Sequence, residues 1–163
     1  MDAGAARVYE AGMAFKKVLC AVDFSDSSRE AMRRAADLVK ATAGSLTLFH
    51  VVHVPVVGYA NGASMMPAPG VELTHELGAE AEKSLADWKK RAEEMGARSV
   101  STQVVAGVPW HMIVEALEGD RTYDLVVIGT HGRTGLGRVL LGSVAETVVR
   151  HAPCPVLVVR QPK

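Results

Sequence analysis

The chain has 163 residues, a length that suits one domain and lets a chain bury roughly 70% of its unfolded surface without disulfides or a structural metal. Lys+Arg and Asp+Glu both total 18, so no net field draws the protein to nucleic acid or to a membrane surface. The two cysteines, Cys20 and Cys154, match neither a disulfide framework nor a zinc-ligand spacing, and no apolar run reaches the length of a membrane span.

Met1 to Ala14 is rich in Ala and Gly and carries Asp2, Arg7 and Glu10 where a signal peptide would have an apolar centre. Residues 1–14 therefore read as a flexible extension, residues 15–163 as a single domain, and the location as cytoplasmic. Lys17 to Val22 is a short apolar run, read as a strand buried on both faces. It ends in the polar cluster Asp23-Phe24-Ser25-Asp26-Ser27-Ser28, where Ser27 and Glu30 have capping-box spacing for the next helix. Ala31, Ala35, Leu38 and Thr42 recur at helical spacing, and Gly44 is the expected stop. Ser45 to Val54 is β-branched and apolar, a second strand.

Pro55 to Gly70 reads as a flexible loop, longer than most connections. Ala81, Leu85, Trp88, Ala92 and Met95 then mark a long amphipathic helix that stops at Gly96. Arg98 to Ala106 reads as a third strand, and Pro109 fits the first position of a helix whose apolar face is Trp110, Ile113, Val114 and Leu117. Asp124 to Ile128 is the fourth strand, a helix runs from near Ser143 to about His151, and Val156 to Val159 is the last strand. This alternation predicts an α/β domain: an open parallel sheet with helices on both faces. Ligands of such sheets bind beyond the carboxyl ends of the strands, where strand order reverses.

The fourth strand runs straight into Gly129-Thr130-His131-Gly132, and nine residues later come Gly142-Ser143. Glycines here would let the backbone take positive φ and approach a ligand closely. Amides that lead into a helix N-terminus form an anion site, because unpaired N–H groups and the helix dipole point the same way. Ser143 and Glu146 have capping-box spacing, which would set the start of that helix. No Gly-Lys-Ser/Thr closes a P-loop, and Gly135-Leu136-Gly137 lacks the third glycine of a dinucleotide fingerprint. Phosphate cradling after a central strand is the chemistry expected, with simple turn-forming glycines as the alternative.

The run from Asp124 through Gly142-Ser143-Val144 to Val159, together with Val18 to Asp23 and Ser45 to Val54, resembles the universal stress protein family. The G-x2-G-x9-G-S spacing is similar to that of the family's ATP-binding branch. The resemblance implies a Rossmann-like five-stranded sheet of order 3-2-1-4-5, which puts the reversal between the first and fourth strands. It also implies binding of ATP, or of ADP or AMP, with Mg2+ or Mn2+, and a stress-response or signalling role.

Carried onto this chain, the implied binding residues are Ala21, Asp23, Phe24, Ser25, Val51, Gly129, Thr130, His131, Gly132, Arg133, Gly142, Ser143 and Val144. Asp23 would accept from ribose hydroxyls, or else cap a helix like Asp26. Ala21 stands where the family often has proline, which alters the shape of the adenine pocket. Val51 would meet adenine through its backbone, although core packing explains it equally well. His131, Arg133 and Arg138 place positive charge beside the glycines, either as phosphate partners or as surface residues. His50 reads as a strand histidine satisfied by neighbours, and no nucleophile–base pair stands out. Two alternatives stay open: a slow ATPase or phosphotransferase, and a dimeric interaction module that binds no nucleotide. The resemblance also implies a homodimer through residues 156–159, a sheet edge that favours pairing, with the N-terminal extension or Arg160 to Lys163 folded over that edge as the alternative.

Overall fold

The structure, a computed structural model, describes residues 15–53, 71–130 and 141–160. The expected extension at residues 1–14 and the loop at 55–70 lie outside the described residues. Among the described residues five strands alternate with four helices: β1 (Lys17–Ala21), α1 (Asp26–Thr42), β2 (Ser45–His53), α2 (Val71–Glu94), β3 (Ser99–Gly107), α3 (Pro109–Gly119), β4 (Leu125–Gly129), α4 (Ser143–His151) and β5 (Val156–Val159). All four strand pairings are parallel, and the sheet order is β3-β2-β1-β4-β5, as the resemblance implies.

Two cores follow from the period of the strands, since alternate side chains leave a strand on opposite faces. Val18, Cys20 and Val22 join Leu46, Leu48, Leu125 and Val127 beneath α1 and α2, against Ala35, Val39, Leu85 and Trp88. Leu19 and Ala21 join Phe49, Val126 and Ile128 on the other face, against Ile113, Leu117, Ala145 and Val148 of α3 and α4. The central strand β1 is therefore apolar at every position after Lys17, and each fully buried side chain there contributes roughly 1.5–3 kcal/mol. Cys20 is buried among these side chains, and burial pushes its thiol well above the usual range. No helix among the described residues is long and apolar enough to cross a membrane.

The helix starts correct two expectations. Helix α1 is capped by Ser25, not by Ser27: the Ser25 side chain accepts from the Ser28 amide, and Ser27 already lies within the helix. Glu30 closes no capping box; it is buried and accepts from Arg33 and Arg34. Helix α4 is capped by Gly142, whose carbonyl accepts the Glu146 amide, so Ser143 is the first helical residue. Glu146 pairs instead with Arg150.

Helix α1 ends at Ala43, which takes the left-handed conformation (φ 52°) expected of Gly44. Gly44 is needed for a different reason, because a Cβ there would lie 2.5 Å from the Lys16 carbonyl oxygen. Strand β4 begins one residue after Asp124, whose carboxylate accepts the Lys16 and Lys17 amides and so ties the start of β1 to that of β4.

Candidate functional site

The carboxyl ends of β1 and β4 lie side by side, Ala21 opposite Ile128, at the point where strand order reverses. A cavity of about 230 Å³ opens there. Its walls are apolar: Ala21 from β1, Phe49 and Val51 from β2, Pro109 and Ile113 from α3, and Ile128 from β4. Polar groups stand at its rim: Asp23, Ser28, Gly129, Thr130 and the start of α4 from Gly142 to Ala145. Among the described residues that line it, Asp23 carries the one ionisable side chain.

The α4 end of the rim is built for an anion. The first intrahelical bond is from the Glu146 amide to the Gly142 carbonyl (2.9 Å), so the amides of Ser143, Val144 and Ala145 have no acceptor within the helix. A serine, threonine or aspartate cap would claim one of them, but Gly142 has no side chain to do so. The helix dipole adds partial positive charge at the same place. Gly142 itself sits at φ −70° and ψ 154°, so the expected positive φ is not what this position requires. Its amide donates to the Thr130 carbonyl (2.7 Å), so Gly142 stands at the helix start as a cap without a side chain. The buried Thr130 in turn donates its amide to Val159, so the end of β4 is tied both to β5 and to the start of α4.

Gly129 does not take positive φ either. A Cβ there would lie 2.5 Å from Ser27 Oγ, 2.8 Å from Ser27 C and 3.0 Å from Ser27 O. Its smallness lets the first turn of α1 close onto the end of β4, which brings Asp23 and the α4 N-terminus to one crevice.

Asp23 is set by an Asx-type turn, its Oδ1 accepting from the Ser25 amide (3.1 Å) and hydroxyl (2.5 Å). The chain then turns sharply at Phe24, at φ 65°, a conformation costly for a bulky residue. Its ring is held against His50 at 4.5 Å and edge-on to Trp88 at 5.5 Å. His50 Nδ1 lies 2.7 Å from the Val22 carbonyl oxygen, so this histidine is satisfied by a neighbour as expected.

Of the expected residues, Ala21, Asp23, Val51, Gly129, Thr130, Gly142, Ser143 and Val144 meet around the cavity. Phe24 lines a neighbouring cleft, and Ser25 is engaged with Asp23 and the Ser28 amide. His131, Gly132, Arg133 and Arg138 lie outside the described residues. The sequence reading missed Ser28, Phe49, Pro109, Ile113 and Ile128 as cavity walls. The i, i+4 spacing of Pro109 and Ile113 on a helix that begins at a strand's carboxyl end was the available signal.

Comparison with known proteins agrees with this architecture. The model of the universal stress protein family matches residues 14–160. A universal stress protein of Methanocaldococcus jannaschii is 43% identical over 155 residues, which covers 91% of this chain and 84% of that protein. The structure of the universal stress protein UspA from Lactobacillus plantarum superposes with a TM-score of 0.78 at 27% identity, covering 91% of this chain and 100% of the other. A universal stress protein solved in complex with cAMP gives a TM-score of 0.66 at 25% identity, over 91% of this chain and 99% of its own. The sheet order, the crevice at its reversal and these matches lead to one conclusion: the chain belongs to the universal stress protein family.

Proposed function

We propose that this protein binds an adenine nucleotide, ATP with Mg2+ or Mn2+ in its working form and ADP or AMP in the same seat, and serves a stress-response or signalling role through that binding. The observation that carries the reading is the side-chain-free cap of α4, which leaves three helix-start amides opening onto a cavity rimmed by Asp23. The apolar walls suit a flat base, the Asp23 carboxylate suits ribose hydroxyls, and the amides of Ser143 and Val144 suit a phosphate. Ala21, Val51, Gly129 and Thr130 shape the space around base and sugar. Phe24 and Ser25 hold the turn that aims Asp23, and the resemblance implies that His131, Gly132 and Arg133, which lie outside the described residues, meet the same ligand. The similar protein solved with cAMP supports the reading, because that ligand presents the same three groups: base, ribose and phosphate. Among the described residues no group of three or more His, Cys, Asp or Glu side chains comes together, so a divalent cation would be held chiefly through the nucleotide's own phosphates.

The reading is tested by denaturing freshly purified protein and identifying what it releases by chromatography. Release of ATP, ADP or AMP supports it. Release of nothing, together with no thermal stabilisation by millimolar ATP or AMP, refutes it.

The same proposal includes a homodimer through β5. The carbonyls of Pro155 and Val159 both accept from the β4 side, so the alternate residues Val156 and Val158 turn their backbone groups to the open edge. A second copy pairing there about a two-fold axis would satisfy them.

A further inference from the structure

The proposed nucleotide seat is one chamber of a larger space. A cleft of about 740 Å³ lies against the 230 Å³ cavity, and Asp23, Val51, Pro109, Ser143 and Val144 line both. Two of the helix-start amides of α4 therefore stand on the shared wall. A phosphate held by them has a base-sized chamber on one side and a chamber about three times larger on the other.

The outer chamber has its own chemistry. The half-buried rings of Phe24, His50 and Trp110 line it, with the exposed Leu77 and the hydroxyl of Ser84 on the α2 side. Phe24 keeps its place at the cost of a left-handed backbone, fixed by its ring contacts with His50 and Trp88. Among the described residues that line the chamber, Asp23 and Glu80 are acids, His50 and His53 are imidazoles, and none is Lys or Arg. This described lining presents aromatic rings beside two carboxylates. It suits a flat, uncharged group rich in hydrogen-bond donors, able to stack on aromatic faces and to donate to carboxylates.

We propose, resting on the nucleotide-binding reading above, that the site is two-chambered and accepts two nucleosides joined through a phosphate chain. One adenosine occupies the inner cavity, the phosphates cross the shared wall at Ser143 and Val144, and the second nucleoside stacks in the outer chamber beside Trp110 and Phe24. The ligand class is a dinucleoside polyphosphate.

The test is a calorimetric titration of the full chain with diadenosine triphosphate and with ATP, which carry the same three phosphates and differ by the second nucleoside. Stacking of one further base on aromatic side chains predicts that diadenosine triphosphate binds about tenfold tighter or better. Trp110→Ala removes a stacking face, and Ser84→Phe fills the outer chamber from α2 should the first variant fold poorly. Each is expected to abolish the advantage while ATP affinity stays within about twofold of the parent, as only the outer chamber has changed. Equal affinities for the two ligands in the parent, or an advantage that survives both substitutions, would overturn the two-chambered site and leave the nucleotide reading standing. Binding of neither ligand would overturn both.

Discussion

Gly129→Ala separates a glycine that serves packing from one that serves a ligand. The added methyl would meet Ser27 at 2.5 Å from its Oγ, 2.8 Å from its carbonyl carbon and 3.0 Å from its carbonyl oxygen. A hydroxyl can rotate away; backbone cannot. Carbon atoms pack at about 3.5–4.0 Å, so the first turn of α1 must retreat by roughly 0.7–1.2 Å. Overpacking of this kind costs about 1–3 kcal/mol, and each kcal/mol moves the melting temperature of a domain this size by about 2–4 °C. A fall of about 2–12 °C is therefore expected in a calorimetric or circular-dichroism melt. Ser27 lies two residues from the Ser25 cap, so the same retreat should loosen the turn that aims Asp23 and weaken nucleotide binding as well. Gly78→Ala is the matched control: it lies within α2 with nothing within 4 Å of the added Cβ, and should stabilise by about 0.5–1 kcal/mol. A Gly129→Ala variant that melts with the parent and binds as the parent does would refute the packing role.

Gly142→Ser should raise or preserve thermal stability yet weaken nucleotide binding several-fold, because a serine cap would claim an amide now open to the cavity; unchanged affinity would show that these amides do not hold phosphate. Asp23→Ala should weaken ATP binding and shrink the difference between ATP and 2′-deoxy-ATP, and a variant that keeps the full difference would assign ribose recognition elsewhere. Asp120 accepts from the Lys17 ammonium and from the Thr122 hydroxyl and amide, which hold its carboxyl at about 2, below its ordinary 3.8. Since the folded value is the lower one, its stabilising contribution is present above about pH 4 and is lost as the pH falls towards 2. Melting temperatures of the parent and Asp120→Asn should accordingly differ at neutral pH and converge over that interval, and a constant difference would contradict the linkage. Val158→Pro removes an amide on the open side of β5, so light scattering should report a dimer for the parent and a monomer or aggregate for the variant; a parent that stays monomeric at high micromolar concentration would end the dimer proposal.

The strands were legible because β1 and β4 are apolar runs buried on both faces, a pattern that few other elements produce. The helices were legible from apolar spacing, as with Ala81, Leu85, Trp88 and Ala92 on α2, all buried. The order of the strands was not: β-α alternation is compatible with several orders, and the order came from the resemblance. The caps were misread because capping-box spacing recurs wherever serines crowd a helix start. Ser25, Ser27 and Ser28 all compete, and Asp23 decides among them by holding the Ser25 amide and hydroxyl. The far walls of the cavity escaped for another reason. Phe49, Ile113 and Ile128 lie far apart in the chain, and they converge only because β2 and β4 flank β1 in register while α3 crosses that face. Gly129 was expected to approach a ligand, and its close neighbour is Ser27; a glycine after a strand says that something comes near without saying what.

The central claim, that the N-terminus of α4 receives the phosphate of an adenine nucleotide at the β1–β4 crevice, is tested most directly by amide chemical shifts. Isotope-labelled protein would be titrated in parallel with AMP and with adenosine, and the amides of Ser143, Val144 and Ala145 followed by NMR. The account predicts saturable shifts at Ala21, Val51 and Ile128 with both ligands, and large shifts at the three α4 amides with AMP alone. AMP that binds without moving the α4 amides, or that moves them no more than adenosine does, would contradict it.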